Sequence, residues 1–216
     1  MRVKKPWPTK DAMQQIYDLK LWGGCEFDFY SGDGSHINDI IEPYIQVVQS
    51  FLGSFDNEIS ICDLGCGDFN VGNHFVSMSK KYIAIDIVPT LIARNKRKFQ
   101  SENLTFKCLD IATDDLPFAD CAIIRQVLQH LSNDEVSSVV NKLSKFKYVI
   151  LTEHIPHGSF EANVDIISGQ GIRIKKGSGL DITLAPFNFE FTKSKRLVTH
   201  QLKGKKGEIV TTLFEI

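Results

Sequence analysis

Short apolar runs alternate with helical segments through the middle of the chain, and this alternation constrains the fold more than any other feature. Five runs of strand-forming residues are separated by stretches with helical spacing; the runs cover 59–64, 82–86, 104–110, 121–125 and 148–153. Strands separated by helices are typical of βαβ units with parallel strands and right-handed crossovers. The sequence therefore predicts an α/β protein with a doubly wound, mostly parallel sheet.

The segments around this alternating region complete one domain. With 216 residues, the chain has a length that suits a single core, which we expect over 59–154. Residues 1–58 are predicted to form a helical cap, and the glycine-rich segment 155–185 an excursion that closes on a substrate as a lid. Residues 186–216 contain two strand-like runs joined by a turn at 203–207, which predicts an antiparallel hairpin.

Composition narrows the classes of partner. A formal net charge of −1 gives no electrostatic reason to expect nucleic acid or an anionic membrane surface. No apolar run is long enough to span a bilayer and no signal peptide is evident, so we expect a cytoplasmic protein. The five cysteines contain no C-x-x-C pair, which predicts free thiols and no metal site. The basic run 94–98 is expected to be a solvated helix face.

The first predicted strand ends in a glycine turn, Asp63-Leu64-Gly65-Cys66-Gly67. Ligands of open α/β sheets bind beyond the carboxyl ends of the strands, and glycines let the backbone approach a ligand closely. Asn70 occupies the place of the third glycine in the dinucleotide pattern G-x-G-x-x-G. Asp63 would repel a pyrophosphate but accepts hydrogen bonds from an ammonium group. The turn therefore favours a cationic ligand.

Three further strand ends carry polar residues. Asp86 ends the second strand, 21 residues after the first glycine of the turn, a spacing that suits a carboxylate bound to ribose hydroxyls. Asp110 and Ile111 follow the third strand, where they suit an adenine amino group and ring. Arg125 and Gln126 end the fourth strand. Each residue alone also suits a helix cap or a strand end, but together they predict one ligand site.

These segments resemble the motifs of class I S-adenosylmethionine-dependent methyltransferases. The turn at 62–67 resembles motif I, the segment 84–87 motif II, and 108–111 the adenine-binding segment that follows. The segment 127–132 is similar to the "HL" stretch after the fourth strand of many small-molecule methyltransferases. The resemblance covers about 55–155 and implies a Rossmann-like sheet whose last strand runs antiparallel.

The resemblance implies S-adenosylmethionine as cofactor and S-adenosylhomocysteine as product. The residues implied to bind the cofactor are Asp63, Gly65, Cys66, Gly67, Asp86, Ile87, Asp110, Ile111, Arg125 and Gln126. Trp22, Ser31 and Gly32 are expected to close over its methionine end, although a packed tryptophan and a plain surface loop explain them equally well.

The acceptor is expected to be a small molecule, including sugars and glycan precursors. The D-P-P-Y and N-P-P-Y signatures of DNA amino-methyltransferases and the Pro-Cys nucleophile of the cytosine-C5 type are absent. A hydroxyl acceptor requires a base, and the candidates are His130, Glu153 and His154. Candidate substrate contacts in the excursion are Asn163, Asp165 and Arg173. The structural alternatives are a packed core residue for His130, local capping for Glu153 and His154, and a solvated loop for the three residues of the excursion.

Two other functions fit the same sequence. One is a catalytically inactive domain that binds S-adenosylmethionine or its product and acts through a protein partner. The other is an NAD-dependent or nucleotide-sugar oxidoreductase with a degenerate glycine turn. Asp63 and the absence of a Y-x-x-x-K pair argue against the oxidoreductase.

Overall fold

A seven-stranded sheet forms the centre of the computed structural model, which describes residues 6–202 and 206–216. In chain order the strands are β1 (Ser60–Leu64), β2 (Lys81–Asp86), β3 (Leu104–Cys108), β4 (Cys121–Arg125), β5 (Tyr148–Ile155), β6 (Glu161–Ala162), β7 (Ser178–Gly179), β8 (Lys193–Gln201) and β9 (Glu208–Glu215). β6 and β7 pair with each other, and the other strands form the sheet in the order β3-β2-β1-β4-β5-β9-β8.

The directions of the strands confirm the predicted fold class. β1 to β5 are parallel, β9 is antiparallel to β5, and β8 is antiparallel to β9. The order reverses between β1 and β4, and this reversal opens a crevice at the carboxyl ends of the strands. The predicted hairpin is therefore present, although the centre of its turn, 203–205, lies outside the described residues.

Helices cover both faces of the sheet. They are α1 (Thr9–Asp18), α2 (Asn38–Leu52), α3 (Pro89–Lys98) and α4 (Asn133–Leu143). Ser132 caps the start of α4, and its side chain forms a reciprocal capping box with Glu135. The helical stretch predicted between the first two strands is a 3₁₀ helix, Gly72–Met78, because a glycine and an asparagine open this short segment and neither favours an α-helix.

The basic run in α3 is only partly solvated, which corrects the sequence-based expectation. Arg94 and Asn95 are buried, as are Leu91 and Ile92 three residues before them. Helical periodicity places these four side chains on one face, which packs against the sheet. Only the rest of the run faces solvent.

The residues predicted to contact substrate hold the excursion after β5 together and fasten it to the rest of the domain. The side chain of Asn163 donates to the carbonyls of Asp181 and Ala185 and accepts from the Asp181 amide, at 2.8 to 2.9 Å. Arg173 is 1% exposed and donates to the backbone carbonyls of Leu128 and Leu131. These bonds give the two residues a structural role.

Asp165 is engaged in the same way. Its carboxylate accepts the amides of Asn133, at the start of α4, and of Ile166. The excursion is therefore bonded to the start of α4.

No helix among residues 6–202 and 206–216 has the length and apolar character needed to cross a membrane.

We expect Asn163→Ala to lower the free energy of unfolding by about 2–4 kcal/mol. The substitution removes three hydrogen bonds, each contributing about 1 kcal/mol, and Asn163 has a φ of 62°, which alanine adopts only with strain. Urea denaturation followed by circular dichroism measures the change. The control is Asn57→Ala, at an exposed position; equal stability of both variants would contradict a fastening role for Asn163.

Candidate active site

A cavity of about 450 Å³ opens at the carboxyl ends of the parallel strands. Every residue predicted to bind the cofactor lines it, from Asp63 in β1 to Gln126 after β4. Trp22, Ser31 and Gly32 line it from the N-terminal segment. The strand ends therefore converge on one space with a volume ordinary for a small-molecule site.

The glycine loop after β1 uses its own amides to hold its shape. The amides of Gly65 and Cys66 donate to the Ile85 carbonyl, at 2.9 and 2.8 Å. The Gly67 amide donates to the Asp86 carboxylate at 3.0 Å, and the next amide, of Asp68, donates to a serine hydroxyl. A phosphate-binding loop presents such amides to its ligand. Here they are already satisfied within the chain.

Two glycines of this loop have backbone conformations that other residues adopt poorly. Gly65 and Gly67 have φ values of 84° and 55°. A Cβ at Gly65 would collide with Val127, and one at Gly67 would collide with Ser31. Both positions therefore require glycine, for conformation and for space.

α3 holds the loop from below through its two buried polar residues. The side-chain amide of Asn95 donates to the Gly67 carbonyl at 2.7 Å, and the Arg94 guanidinium donates to the Asp68 carbonyl at 2.8 Å. The same guanidinium binds both carboxylate oxygens of Asp28, and this ion pair holds the pKa of Asp28 at about 2. Arg94 thereby joins the glycine loop to the N-terminal segment.

The N-terminal segment covers the cavity and is bonded to both sides of it. Ser31 and Asp68 exchange two hydrogen bonds of 2.8 Å, and His36 contacts the same aspartate at 2.6 Å. On the other side, Arg125 donates to the Gly34 carbonyl and the Ser35 hydroxyl. The segment therefore bridges the loops that follow β1 and β4.

Two buried carboxylates face the cavity beneath this segment. Burial raises the pKa of Asp63 to about 7 and that of Asp86 to about 6. Asp63 accepts a hydrogen bond from the Tyr82 hydroxyl at 2.9 Å. Asp86 accepts from the amides of Gly67 and Val88, so its side chain supports the loop as well as facing the cavity.

These features fit one kind of ligand. Buried carboxylates favour ammonium, hydroxyl and amine donors, and a loop with satisfied amides leaves no cradle for a pyrophosphate. S-adenosylmethionine carries an ammonium, two ribose hydroxyls and an adenine amino group, and has no phosphate. The residues present fit this group and do not fit NAD.

Comparisons with known proteins agree with this geometry. A family model described as a methyltransferase domain matches residues 61–146, which contain β1 to β4 and α4. This part of the chain is a class I S-adenosylmethionine-dependent methyltransferase domain. The predicted family is thereby confirmed, and with it S-adenosylmethionine as the cofactor.

Solved structures share the fold of this methyltransferase at low sequence identity. The N-methyltransferase NodS from Bradyrhizobium japonicum WM9, in complex with S-adenosylhomocysteine, has a TM-score of 0.66 and 12% identity over 95% of this chain and 99% of its own. Magnesium protoporphyrin IX methyltransferase from Synechocystis PCC 6803, with bound S-adenosylmethionine, has a TM-score of 0.61 and 17% identity over 99% and 100%. Among curated protein sequences none matches significantly.

A third structure carries a heterocyclic acceptor. It is 1,6-didemethyltoxoflavin-N1-methyltransferase from Burkholderia thailandensis, with bound 1,6-didemethyltoxoflavin and S-adenosylhomocysteine. Its TM-score is 0.63 and its identity 13%, over 99% of this chain and 93% of its own. Together the three structures establish the fold that this methyltransferase adopts.

The predicted base candidates of the methyltransferase differ in their access to the cavity. His130 and His154 line it, and Glu153 does not. Glu153 is 3% exposed, and this burial raises its pKa to about 8. One of its carboxylate oxygens accepts a hydrogen bond from the backbone amide of Gln129 at 3.1 Å. Glu153 therefore supports the turn after β4 from beneath.

Gln129 links the two histidines, and the sequence analysis did not single it out. Its side-chain oxygen accepts the His154 amide at 2.8 Å, so its side-chain nitrogen faces His130 Nε2, at 3.3 Å. An amide nitrogen donates, and His130 Nε2 must accept. The proton of the neutral ring therefore lies on Nδ1, which contacts the Gly169 carbonyl at 3.1 Å.

Other residues that shape the site were missed because their role depends on distant contacts. Arg94, Asn95 and His36 hold the loop and the segment above it, yet none belongs to a recognisable motif. Tyr17 packs edge-on against Trp22, whose ring in turn lies 5.2 Å from that of His130. The helical spacing of Tyr17 in α1 signals only a packed residue.

We expect His130 to remain neutral, with its proton on Nδ1, between pH 5.5 and 8. Burial lowers its pKa to about 4, below the value near 6.5 of an ordinary imidazole, so the ring takes up a proton only under stronger acid. Long-range ¹H–¹⁵N correlation spectra report both charge and tautomer. Gln129→Leu removes the donor and should relax the tautomer preference. A ring that titrates near pH 6.5 in the parent protein would contradict this arrangement.

Proposed function

We propose that this methyltransferase transfers the methyl group of S-adenosylmethionine to a small-molecule acceptor at oxygen or nitrogen. The observation that carries the proposal is one cavity that combines buried strand-end carboxylates with a glycine loop whose amides are internally bonded. S-adenosylmethionine supplies a methyl group already activated by a sulfonium. The protein therefore has to bind the cofactor and the acceptor, align the acceptor with the methyl group, and exclude water.

The cofactor side of the proposal assigns a role to each strand end. Asp86 accepts the ribose hydroxyls, and Asp110 with Ile111 receives the adenine. Asp63 accepts the α-ammonium of the methionine end. Arg125, whose Nε is buried without a hydrogen-bond partner among the described residues, takes the α-carboxylate.

The acceptor side lies next to the loop after β4. Trp22 and His130 form one wall, with their rings 5.2 Å apart, and Ile172 and Ile209 also line the cavity. His154 lines the cavity, and its Nε2 donates to the Lys206 carbonyl at 2.8 Å. We assign the transfer of an acceptor proton to His154, because Gln129 occupies the lone pair of His130.

Calorimetry with S-adenosylhomocysteine tests the cofactor assignment. The parent protein should bind it stoichiometrically and should not bind NAD. Asp86→Ala removes two charge-assisted hydrogen bonds to ribose and should cost about 2–4 kcal/mol, or about 30- to 1,000-fold in affinity. Because Asp86 also supports Gly67 and Val88, Asp86→Asn is measured beside it, and thermal unfolding checks the fold of each. Asp56→Ala, at an exposed position, should bind as the parent does; parent-like affinity in Asp86→Ala would refute the assignment.

Binding of S-adenosylhomocysteine should weaken as the pH falls from 7.5 to 5.5. The pKa values of Asp63 and Asp86 are raised to about 7 and about 6, so both are largely ionised at pH 7.5 and largely protonated at pH 5.5. Protonated Asp63 loses the attraction to the ligand ammonium, and protonated Asp86 loses the charge that strengthens its hydrogen bonds to ribose, which together predicts a roughly ten- to hundredfold loss of affinity. Asp63→Asn should show a lower affinity at pH 7.5 and a flatter profile. A parent affinity independent of pH over this range would contradict the role of Asp63.

A further inference from the structure

We infer that the methyl acceptor is an anion, with a carboxylate or phosphate group that Lys175 binds at the mouth of the cavity. The inference rests on the proposed function, since it specifies the substrate class of the same site. It is carried by the distribution of charge along the cavity wall and by the partners of the charged groups around the mouth.

The ionisable groups of the cavity are divided between the two halves of the sheet. The acidic residues of its described lining follow β1, β2 and β3 or lie in the N-terminal segment bonded to the β1 loop; they are Asp63, Asp68, Asp86, Asp110 and Asp33. The basic ones end β4, follow it, or come from β5 and the excursion; they are Arg125, His130, His154 and Lys175. The order β3-β2-β1-β4-β5 places the strand-end aspartates on one side and His130, His154 and Lys175 on the other. Arg125 and the segment that carries Asp33 lie between them, because Arg125 donates to the Gly34 carbonyl.

The acidic half, together with Arg125 for the α-carboxylate, suits S-adenosylmethionine, so the acceptor has the half lined by His130, His154 and Lys175. Apart from Lys175, the histidines and the glutamines, that half is lined by apolar side chains, among them Ile172, Leu202 and Ile209. Among residues 6–202 and 206–216, no carboxylate lines it. A cationic acceptor would find no counter-charge there, whereas an anionic one would.

Carboxylates near this half are already engaged. Glu153 is buried under the turn after β4 and accepts the Gln129 amide. Glu208 accepts the side-chain amide of Gln201 at 2.9 Å and lies 3.6 Å from His157. Neither lines the cavity, so neither neutralises the basic lining.

Two adjacent lysines of the excursion differ in a way that identifies the binding group. Lys176 donates from Nζ to the Asp165 carbonyl at 2.7 Å and does not line the cavity. Lys175 lines it, and no described residue forms a hydrogen bond or ion pair with its ammonium. A flexible ammonium at the edge of an apolar pocket suits an anionic group on an apolar body.

The experiment compares ligands of one shape and different charge. The protein is first saturated with S-adenosylhomocysteine, and binding of 4-hydroxybenzoate, phenyl phosphate, 4-hydroxybenzamide and 4-hydroxybenzylamine is measured by ligand-observed NMR. At least one of the two anions should bind about fivefold or more tightly than the amide, the order expected of one partly solvated ion pair. The amine should bind most weakly, and the better anion distinguishes a carboxylate from a phosphate handle.

Substitution of each lysine supplies the matched comparison. Lys175→Gln should reduce the preference for the anion over the amide to near one while leaving amide binding unchanged. Lys176→Gln, which makes the same change in net charge one residue away, should keep the preference. A neutral or cationic probe that binds as tightly as both anions, no anion binding at millimolar concentration, or a preference that survives Lys175→Gln would overturn the inference. Failure of S-adenosylhomocysteine itself to bind would instead overturn the proposed function.

Discussion

The hydrogen bond between the Asp86 carboxylate and the Gly67 amide holds the site together, because it fixes the loop on which the cofactor half is built. Asp86 ends β2 and Gly67 follows β1, so the bond ties two neighbouring strand ends. Asn95 holds the carbonyl of the same glycine from the opposite side. With its amides and carbonyls engaged, the loop presents side-chain carboxylates to the ligand, and this decides for S-adenosylmethionine over a dinucleotide.

The hydrogen bonds at the strand ends also explain why the carboxylates of Asp63 and Asp86 stay in place although their burial is energetically costly. Asp63 and Asp86 lie in a low-dielectric setting that raises the pKa of each, and each accepts at least one hydrogen bond that partly offsets burial. In the proposed complex, the ammonium and hydroxyl groups of the cofactor complete the hydrogen bonding of both carboxylates. Buried acids of this kind are typical of functional sites.

The features that were predictable from sequence are those set by local patterns. Strand periodicity located the parallel strands, and the ends of those strands placed Asp63, Asp86 and Asp110 on one edge of the sheet. Side chains whose role depends on tertiary neighbours were not predictable. Arg94 and Lys96 read alike in the sequence, but only one of them faces the sheet and joins two distant segments.

The excursion shows the same limit. Asn163 and Arg173 carry polar groups in a glycine-rich stretch, which suggested substrate contact, but their partners are backbone carbonyls of the excursion and of the turn after β4. The residues of the excursion that do line the cavity, Gln170, Ile172 and Lys175, are unremarkable in sequence. Which side of an irregular segment faces a pocket is decided by packing, and periodicity does not encode it.

The N-terminal segment has a consequence for how the chain matures as it is synthesised. Its contacts join residues far apart in the chain: Asp28 with Arg94, 66 positions later, Gly34 with Arg125, 91 positions later, and Leu21 with Gln170, 149 positions later. Chains fold from the N-terminus as they leave the ribosome. This segment is made before its partners and is therefore among the last parts of the domain to settle, and the covered cavity exists only after Gln170 has been made.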